Sequence, residues 1–509
     1  MRSYRLLKQS GHLDRIAAVK RALTEHSLGL SGQQFSPVVM GHGSASGETV
    51  VRQFLLVRIG GINLNRALLL ALGKEHGQVV FPLPSEWREI LTRYDFKVAH
   101  FRSALLWKLY VGVFLLYGIF KIGKIAFAGL IFGKSKVFNK DRYVYFANLG
   151  PANLPKEKNG SQSHDIISWY LQWQGRKSDI KEIRHNVANS LDTEVNGIRI
   201  LSKRGPLPAL VGWVSIVKYA IWGLGAIIFA VFDCLRGRWW HALLLSEAAL
   251  VGQVRILPVL SLAREYLFHN SDWIYRPLWT YEADQRGSEI TFYFYSSCDE
   301  FKRPDGYHPA SYGWKAMNWP RYLVWDDYQA DLVRRIVGIE ANISIVWPIW
   351  FQSSDAAMPQ FNSPSVTIFD VSPMRQSRHS ILLLDYDYYI PSTCEGFLSH
   401  ILDATRHLDA VMLWKRKRKI GAMAHPRYRY FSEKLSEEVH VVLVDPDISA
   451  FRVIESSCAV ISIPFTSTAL IAKEMGKPSI YYDPTGLVQR DDRAAHGVPI
   501  LSGIEAVSY

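Results

Sequence analysis

The chain has 509 residues, 48% hydrophobic and 13% aromatic, so it folds and is too long for one ordinary core. A formal net charge of +13 suits anionic partners: nucleic acid, anionic lipid or phosphorylated substrates. Nucleic acid is set aside, because the sequence holds neither a paired-cysteine zinc spacing nor an aromatic RNA-binding strand motif.

The four cysteines, Cys234, Cys298, Cys394 and Cys458, are far apart. They imply neither a disulfide framework nor a metal site, and a reducing cytosol fits them. The N-terminal MRSYRLLKQSGHLDRIAAVKRAL is basic and helical and lacks an uninterrupted apolar core, so no secretory signal is expected. GHGSASGET, residues 41–49, reads as a polar loop. Val79 to Pro84 reads as a short strand and turn, and Ser85 as the N-cap of a helix.

Two apolar stretches follow, at residues 104–132 and 207–232. Each is long enough to cross a bilayer if its lysines are tolerated: Lys108, Lys121 and Lys124 in the first, Lys218 in the second. At about 100° per residue, Lys121 and Lys124 nearly share a face and Lys108 lies opposite. Flanking cations and Trp239-Trp240 suit an interfacial edge, so helices dipping into one leaflet are weighed against true spans and buried core helices. Between the stretches, YVYFANLGPANLP reads as strand and turn and DIISWYLQW as a helix. EITFYFYSS, residues 289–297, is a strand, residues 301–336 read as irregular, and residues 343–351 as strand-like. The polar, Pro-bearing stretch 352–365 marks a boundary, giving an N-terminal α/β domain over 1–355 and a C-terminal Rossmann-like domain over 362–509.

Beyond the boundary, short apolar runs alternate with helix-length segments. Strands are expected at 366–371, 410–414, 439–444, 459–463 and 478–482, and 381–384 extends a strand or opens the next element. Helices are expected after the capping-box spacing of Ser392 and Glu395, and at 431–438, 449–456 and 467–475. Such a pattern argues a parallel sheet covered on both faces, whose ligands bind beyond the carboxyl ends of the strands.

Those ends carry the candidate chemistry. Lys415 opens a basic run after one strand, with His425-Pro426 beyond it; a cation there can reach a diphosphate and the imidazole can donate to phosphate. Pro464-Phe465-Thr466-Ser467-Thr468 follows another strand and enters a helix, where hydroxyls and free amides make an anion seat; plain helix capping is the alternative for any one hydroxyl. Asp447 or Ser449 reads as a cap, in preference to a carboxylate placed for a ribose or a nucleobase edge. No Walker motif, GxGxxG or DxD triplet is present, so no cofactor or metal is called for.

The wording Ser462 to Thr468 with Gly476 to Pro484 resembles bacterial polysaccharide biosynthesis proteins that carry a PFTS motif. VTIFDVSP, HPRY, VDPDIS, PLPSEW, IISWY and RYLVWDDYQ add to the likeness, which covers most of the chain. The resemblance implies an α/β, GT-B-like fold of two Rossmann-type domains, with apolar helical insertions in the N-terminal half. It implies a glycosyltransferase acting on O-antigen or capsule precursors. His-Pro followed by a Ser/Thr pair is also similar to bacterial sialyltransferases and Kdo transferases. There, CMP-activated sugars would meet His425, Ser467 and Thr468. Those enzymes take their base from an acidic pair before Gly, and here stand only Asp305-Gly306 and Glu395-Gly396.

The expectation is a metal-independent transfer from a sugar nucleotide to a lipid-linked or polysaccharide acceptor, at the cytoplasmic face of the inner membrane, by a peripheral or monotopic enzyme. Donor binding falls to Lys415, His425 and Pro464 to Thr468. Asp305, Asp326 and Asp327 are candidate bases, each read more readily as a loop or cap carboxylate. The alternatives are a non-catalytic assembly protein and a sugar-nucleotide epimerase.

Overall fold

The computed structural model describes residues 10–133, 143–155, 165–175, 179–203, 205–270, 275–296, 314–349, 357–361, 363–371, 373, 390–406, 408–416, 420 and 424–503. The chain divides into two compact units. One comprises Met1–Leu149, Asp179–Tyr293 and Ser311–Arg321; the other comprises Gly150–Ser178, Phe294–Ala310 and Tyr322–Tyr509.

The first unit begins with helices α1 (His12–Leu28), α2 (Ser85–Arg93) and α3 (His100–Phe132). Its strands are β1 (Val144–Phe146), β2 (Glu182–His185), β3 (Thr193–Val195), β4 (Ile198–Ser202), β5 (Glu265–His269) and β6 (Glu289–Tyr293). They run in the order β3-β4-β2-β1-β5-β6. All neighbours for which a register is defined are parallel, except the β3–β4 hairpin. That hairpin turns on Asn196-Gly197, both with positive φ, the two-residue turn whose twist matches paired strands.

The second apolar stretch forms α5 (Trp213–Leu235), after α4 (Ile166–Gln174) in the other unit. α6 (Trp240–Ile256) packs against both α3 and α5 and is buried along almost its whole length. On α3 the buried positions are Ser103, Trp107, Val111, Gly118, Ile122 and Gly129; on α5 they are Ile216, Tyr219, Gly223, Ala226, Ala230 and Asp233. The four- and seven-residue spacings on α3 and the three- and four-residue spacings on α5 make one stripe per helix. A Cβ on Gly223 would stand 2.5 Å from the Ile122 side chain, so glycine sets how closely α5 and α3 approach. The outer faces stay apolar and exposed, with Leu116, Phe120 and Phe127 on α3 and Ile221, Leu224 and Ile228 on α5. Both helices are long and apolar enough to cross a membrane.

The lysines sort differently from their angular spacing. Lys108, Lys124 and Lys218 are exposed, whereas Lys121 is half-buried and feels the carboxylate of Glu247 on α6. Glu247 in turn accepts from Tyr275 Oη at 2.6 Å and from the Leu278 amide at 2.9 Å. Lys121 is therefore a bundle residue, and Lys124 a surface one.

In the second unit, α4 is capped by Asp165, which accepts from the Ser168 amide at 2.9 Å. β7 (Tyr322–Val324) pairs in parallel with β8 (Ile343–Ile345), joined through α7 (Asp327–Val337). Residues 322–336, expected to be irregular, are thus strand and helix. Local Pro and Gly density in the preceding residues masked a short apolar run followed by an Asp N-cap.

Six further strands are β9 (Ser365–Asp370), β10 (Val411–Arg416), β11 (Val441–Val444), β12 (Ala459–Ser462), β13 (Ser479–Asp483) and β14 (Ile500–Ser502). Their order is β11-β10-β9-β12-β13-β14 and every pairing is parallel. The helices between them are α8 (Pro391–Thr405), α9 (Pro426–Leu435), α10 (Ala450–Glu455) and α11 (Ser467–Glu474). Neighbouring strand residues feed different cores. Ile368 and Trp414 pack with Phe397, Ile401 and Tyr428, Phe369 packs with Ile454 and Ile471, and Leu413 packs with Ile448 and Val453.

Several local expectations shift. Residues 41–49 form a 3-10 turn and the start of a helix rather than a loop. Ser85 is the first helical residue after Pro84, not a cap. Ser392 lies inside α8, where Pro391 occupies the first turn and no side chain caps. α9 starts at Pro426, five residues before 431, because proline suits a first helical turn. Residues 381–384 lie outside the described residues. The chain therefore holds two Rossmann-like sheets, with long apolar helices inserted in its N-terminal half.

Candidate functional site

The order β11-β10-β9-β12-β13-β14 places the first strand, β9, in the middle. The chain leaves β9 for β10 and β11 on one side, then returns to build β12 on the other. A crevice opens at such a reversal, outside the carboxyl ends of the two strands, and ligands bind there. The two ends in question are Asp370 of β9 and the residues after Ser462 of β12. The Ile463 amide donates to Phe369 O at 3.1 Å, which stitches this turn to β9.

The turn is Pro464-Phe465-Thr466 leading into Ser467 of α11. Phe465 has φ +64°, a left-handed conformation that costs a non-glycine residue roughly 1–2 kcal/mol. It is held by packing, with its ring 6.0 Å from that of Tyr481. Thr466 occupies the N-cap position with extended backbone, yet its hydroxyl does not cap. It donates instead to Ile463 O at 2.9 Å. Thr468 Oγ1 lies 2.9 Å from Ser462 Oγ and 3.2 Å from Thr466 Oγ1. Tyr481 Oη donates to Thr466 O at 2.6 Å. Among the described residues, Ser467 alone of the three hydroxyls has no partner, and it is half-buried. The site therefore offers one uncommitted hydroxyl and the uncapped amides of an α-helix start, the arrangement that receives an anion.

His425 caps α9. Its Nδ1 accepts from the Arg427 amide at 3.2 Å and its own amide donates to Pro373 O at 3.3 Å, just beyond β9. With Nδ1 accepting, the neutral ring carries its proton on Nε2, which makes Nε2 a donor. Tyr428, three residues on, donates its hydroxyl to Asp370 Oδ2, and Arg427 pairs with Glu395 at 2.8 Å. The first turn of α9 is thereby pinned to β9 and α8.

Asp370 is 2% exposed. Burial pushes its carboxyl up to about 6, against the opposing pull of the Tyr428 hydroxyl, the Trp414 indole and the Arg416 guanidinium. The expected strand 366–371 takes it in as an ordinary strand residue, whereas β9 ends on it. A single carboxylate closing an otherwise apolar buried run is the signal that could have found it.

Lys415 is turned away from the turn. It lies on the Leu413 side of β10, 5% exposed, and its Nζ donates to Pro446 O at 3.1 Å. Burial lowers its affinity for a proton, and the fields of Asp445, Asp447 and Asp370 oppose that. Ser449, not Asp447, caps α10, accepting from the Arg452 amide.

Of the carboxylates considered as bases, Asp305 lies outside the described residues. Asp326 is the N-cap of α7, accepting from the Gln329 amide at 2.9 Å, and its other oxygen meets His496 Nδ1 at 2.7 Å. Asp327, in the first turn of α7, is exposed. Asp326 also stands near enough to Tyr481 that its charge, after burial, helps push that phenol up. Tyr481 and His496 are thus part of the surroundings of the turn, and nothing in the local sequence flagged either. Among the described residues, no three His, Cys, Asp or Glu side chains gather into a metal-ligating group.

Comparison with solved structures returns distant likenesses. The UDP-GlcNAc 2-epimerase of Methanocaldococcus jannaschii is 7% identical, with a TM-score of 0.38 over 72% of this chain and 90% of that one. The wall teichoic acid polymerase TagF is 10% identical, with a TM-score of 0.34 over 67% and 70%. The spinosyn forosaminyltransferase SpnP is 10% identical, with a TM-score of 0.35 over 72% and 88%. At such scores none of them informs the chemistry of this chain. No curated protein matches the sequence. The profile of the polysaccharide biosynthesis PFTS motif proteins does match, across residues 222–508, and the Pro464-Phe465-Thr466-Ser467 turn lies within that span. With more than half of its length matched, the chain belongs to the polysaccharide biosynthesis PFTS motif family.

Proposed function

We propose that the protein is a glycosyltransferase of the GT-B type that moves a sugar from a nucleotide-activated donor to a lipid-linked or polysaccharide acceptor. The observation that carries the reading is the position of the PFTS turn at the strand-order reversal of the C-terminal sheet, with Ser467 and the start of α11 unspent. The donor diphosphate, or the single phosphate of a CMP-linked sugar, sits against those amides and the Ser467 hydroxyl, and His425 Nε2–H donates to it. In the transfer, the acceptor hydroxyl oxygen bonds to the anomeric carbon as the bond from that carbon to the phosphate oxygen breaks. The leaving nucleotide keeps the electron pair, and a base takes the acceptor proton. Charge builds on the leaving phosphate, where the helix start and two neutral donors stabilise it, so the proposed step needs no metal ion. Asp327 retains an open carboxylate for the base; Asp326 is committed to α7 and His496.

The exposed apolar faces of α3 and α5 support attachment to the cytoplasmic face of the inner membrane, where a lipid-linked acceptor resides. Those faces carry Lys108, Lys124 and Lys218, whose stems can bury while their ammonium groups reach anionic headgroups.

A thermal-shift screen of CMP, UDP, GDP and their sugar conjugates tests the donor reading. Stabilisation by one nucleotide class, retained with a chelator present, is expected. No stabilisation by any of them would sink it. Flotation with vesicles containing anionic lipid tests attachment, and protein remaining wholly at the bottom of the gradient would count against it.

A further inference from the structure

Helices α3, α5 and α6 form a layer whose two sides differ. Ile122 meets Gly223 and Gly129 meets Ile216, so α3 and α5 run antiparallel, side by side. α6 lies behind both: Leu245 stands against Gly118 of α3, and Tyr219 Oη of α5 donates to Ala249 O at 2.9 Å. Behind α6 comes the rest of the first unit. The Ser36 amide donates to His241 Nε2 at 3.0 Å near the start of α6, and Tyr275 Oη donates to Glu247 at 2.6 Å in its middle. Near its end, Arg255 pairs with Glu282 at 3.0 Å. Polar and charged contacts thus follow the back of α6 along its length. The ends of α3 are held on the same unit: Arg88 donates to His100 O at 3.1 Å, and the Gly212 amide donates to Gly133 O at 3.4 Å.

The front is apolar and exposed for as long as the helices last, from Phe101 to Phe132 on α3 and from Trp213 to Leu235 on α5. α3 has 33 residues, about 50 Å at 1.5 Å each, against the ~30 Å of a bilayer's hydrocarbon. To cross with that whole face immersed it would tilt by about 50°, beyond the 0–40° of transmembrane helices. It would also draw Arg255 and Glu282 toward the hydrocarbon, where charge is expensive. Basic residues stand at or beside both ends of both helices, Arg102 and Lys134 for α3, Lys203 and Arg236 for α5, whereas a span collects them on one side. α3 carries no acidic residue, and the one on α5, Asp233, is buried 2.7 Å from His241. Every exposed charge on the two helices is therefore positive, which matches an anionic headgroup layer and not an acid-bearing protein surface of mixed sign.

We propose that α3 and α5 lie flat in one leaflet of an anionic bilayer, immersed by about 5–10 Å with α6 behind them, and that neither helix crosses. The proposal rests on the membrane attachment put forward above and goes beyond it by stating the depth and direction of the attached helices.

Depth-dependent quenching on the full chain tests it. Cys234, Cys298 and Cys458 are replaced by serine, and Cys394 is fully buried and escapes labelling. Leu109→Cys, Phe120→Cys and Ile131→Cys, all at exposed positions of α3, then each carry one fluorophore in phosphatidylglycerol vesicles containing shallow or deep nitroxide lipids. The three sites share a face and spread over about 33 Å of helix. Similar quenching at all three is expected, stronger from the shallow nitroxide. In the parent background, Phe120→Glu weakens vesicle binding about tenfold with the melting temperature unchanged. Deep quenching at residue 120 with residues 109 and 131 at the interface would mean a span and overturns the proposal. Quenching at none of the three sites, or binding indifferent to Phe120→Glu, also overturns it. Flotation on the same vesicles keeps the two readings apart. Flotation with a span-like depth profile removes the flat seating alone. Failure to float removes attachment and seating together, and a dimer in buffer would then give the apolar face to a second copy of the chain.

Discussion

The ends of β10 and β12 look equally promising in the sequence, one with a run of cations and the other with a run of hydroxyls. Folding treats them differently. At β10, Lys415 alternates onto the α10 side of the sheet and spends its ammonium on Pro446 O, within the fields of Asp445 and Asp447. At β12, Thr466 and Thr468 spend their hydroxyls on the turn itself, and that expenditure holds Ser467 and the start of α11 open. What marks a binding site is the polar capacity left over after local bonds are made, and a count of charges or hydroxyls does not report it. Between the two ends, Asp370 at the end of β9 ties α9, and with it His425, to the middle of the sheet.

That middle strand gives the largest expected effect. The Asp370 carboxyl is pushed up to about 6 from an ordinary 3.8, so the fold favours its protonated form. This contribution is fully present below the unfolded value and is lost as pH rises through about 6. Asp370→Asn mimics the protonated state, and urea denaturation at pH 8 is expected to show it up to ~3 kcal/mol more stable than the parent, with the gain fading toward pH 4. If the residue serves only to hold α9, nucleotide affinity stays as it was. A variant destabilised equally at both pH values would mean that Tyr428 needs a charged partner, and the buried-acid account would fail.

Next comes the β12 end itself. Ser467→Asp puts a carboxylate in the first turn of a helix, where it favours the fold, but directly in the proposed anion seat. Nucleotide affinity is expected to fall about 100-fold with the melting temperature held or raised. Ser467→Ala removes one charge-assisted hydrogen bond and is expected to cost about tenfold. Titration calorimetry reads both, and equal affinity for parent and Ser467→Asp would place the phosphate elsewhere.

Much of this was legible in advance. The strands of the C-terminal sheet were readable because each is a near-continuous apolar run bounded by polar residues, and the PFTS turn because it follows one of them directly. Strand order was not readable, and it is the order that turns a Ser/Thr cluster into the edge of a crevice. The Asn196-Gly197 hairpin carried a plain signal that went unused. Asp326 could be found as a carboxylate at the start of α7, but its partner His496 is 170 residues away, and only tertiary packing brings the two together. The lysines of α3 show the same limit. Helical geometry put Lys121 and Lys124 nearly on one face, and the burial boundary runs between them because Glu247 of α6 draws one inward.

A smaller effect is expected at His425, where cap and ligand roles overlap. Asn is a good N-cap and Ala is not, so His425→Ala should lose about 1 kcal/mol of stability that His425→Asn largely keeps. Neither can place a donor where Nε2 stands, so both should weaken nucleotide binding about fivefold, the worth of one hydrogen bond. If Asn restores affinity along with stability, the imidazole is a helix cap and nothing more.

The smallest expected effect is the most demanding of the contrast between the two strand ends. Lys415→Met keeps the length and apolar stem of the side chain and deletes the ammonium. Removing a cation from a buried site relieves its desolvation cost while losing the bond to Pro446 O, and the two changes oppose each other, so stability should move by less than about 1 kcal/mol. Nucleotide affinity should stay within about twofold of the parent, because a charge turned toward the β11–α10 loop is too far around the strand to meet a phosphate at α11. A tenfold loss would show that Lys415 leaves Pro446 when the nucleotide arrives. The basic strand end would then be a reserve of charge drawn on in the bound state, and what the unliganded fold leaves unspent would no longer suffice to locate the site.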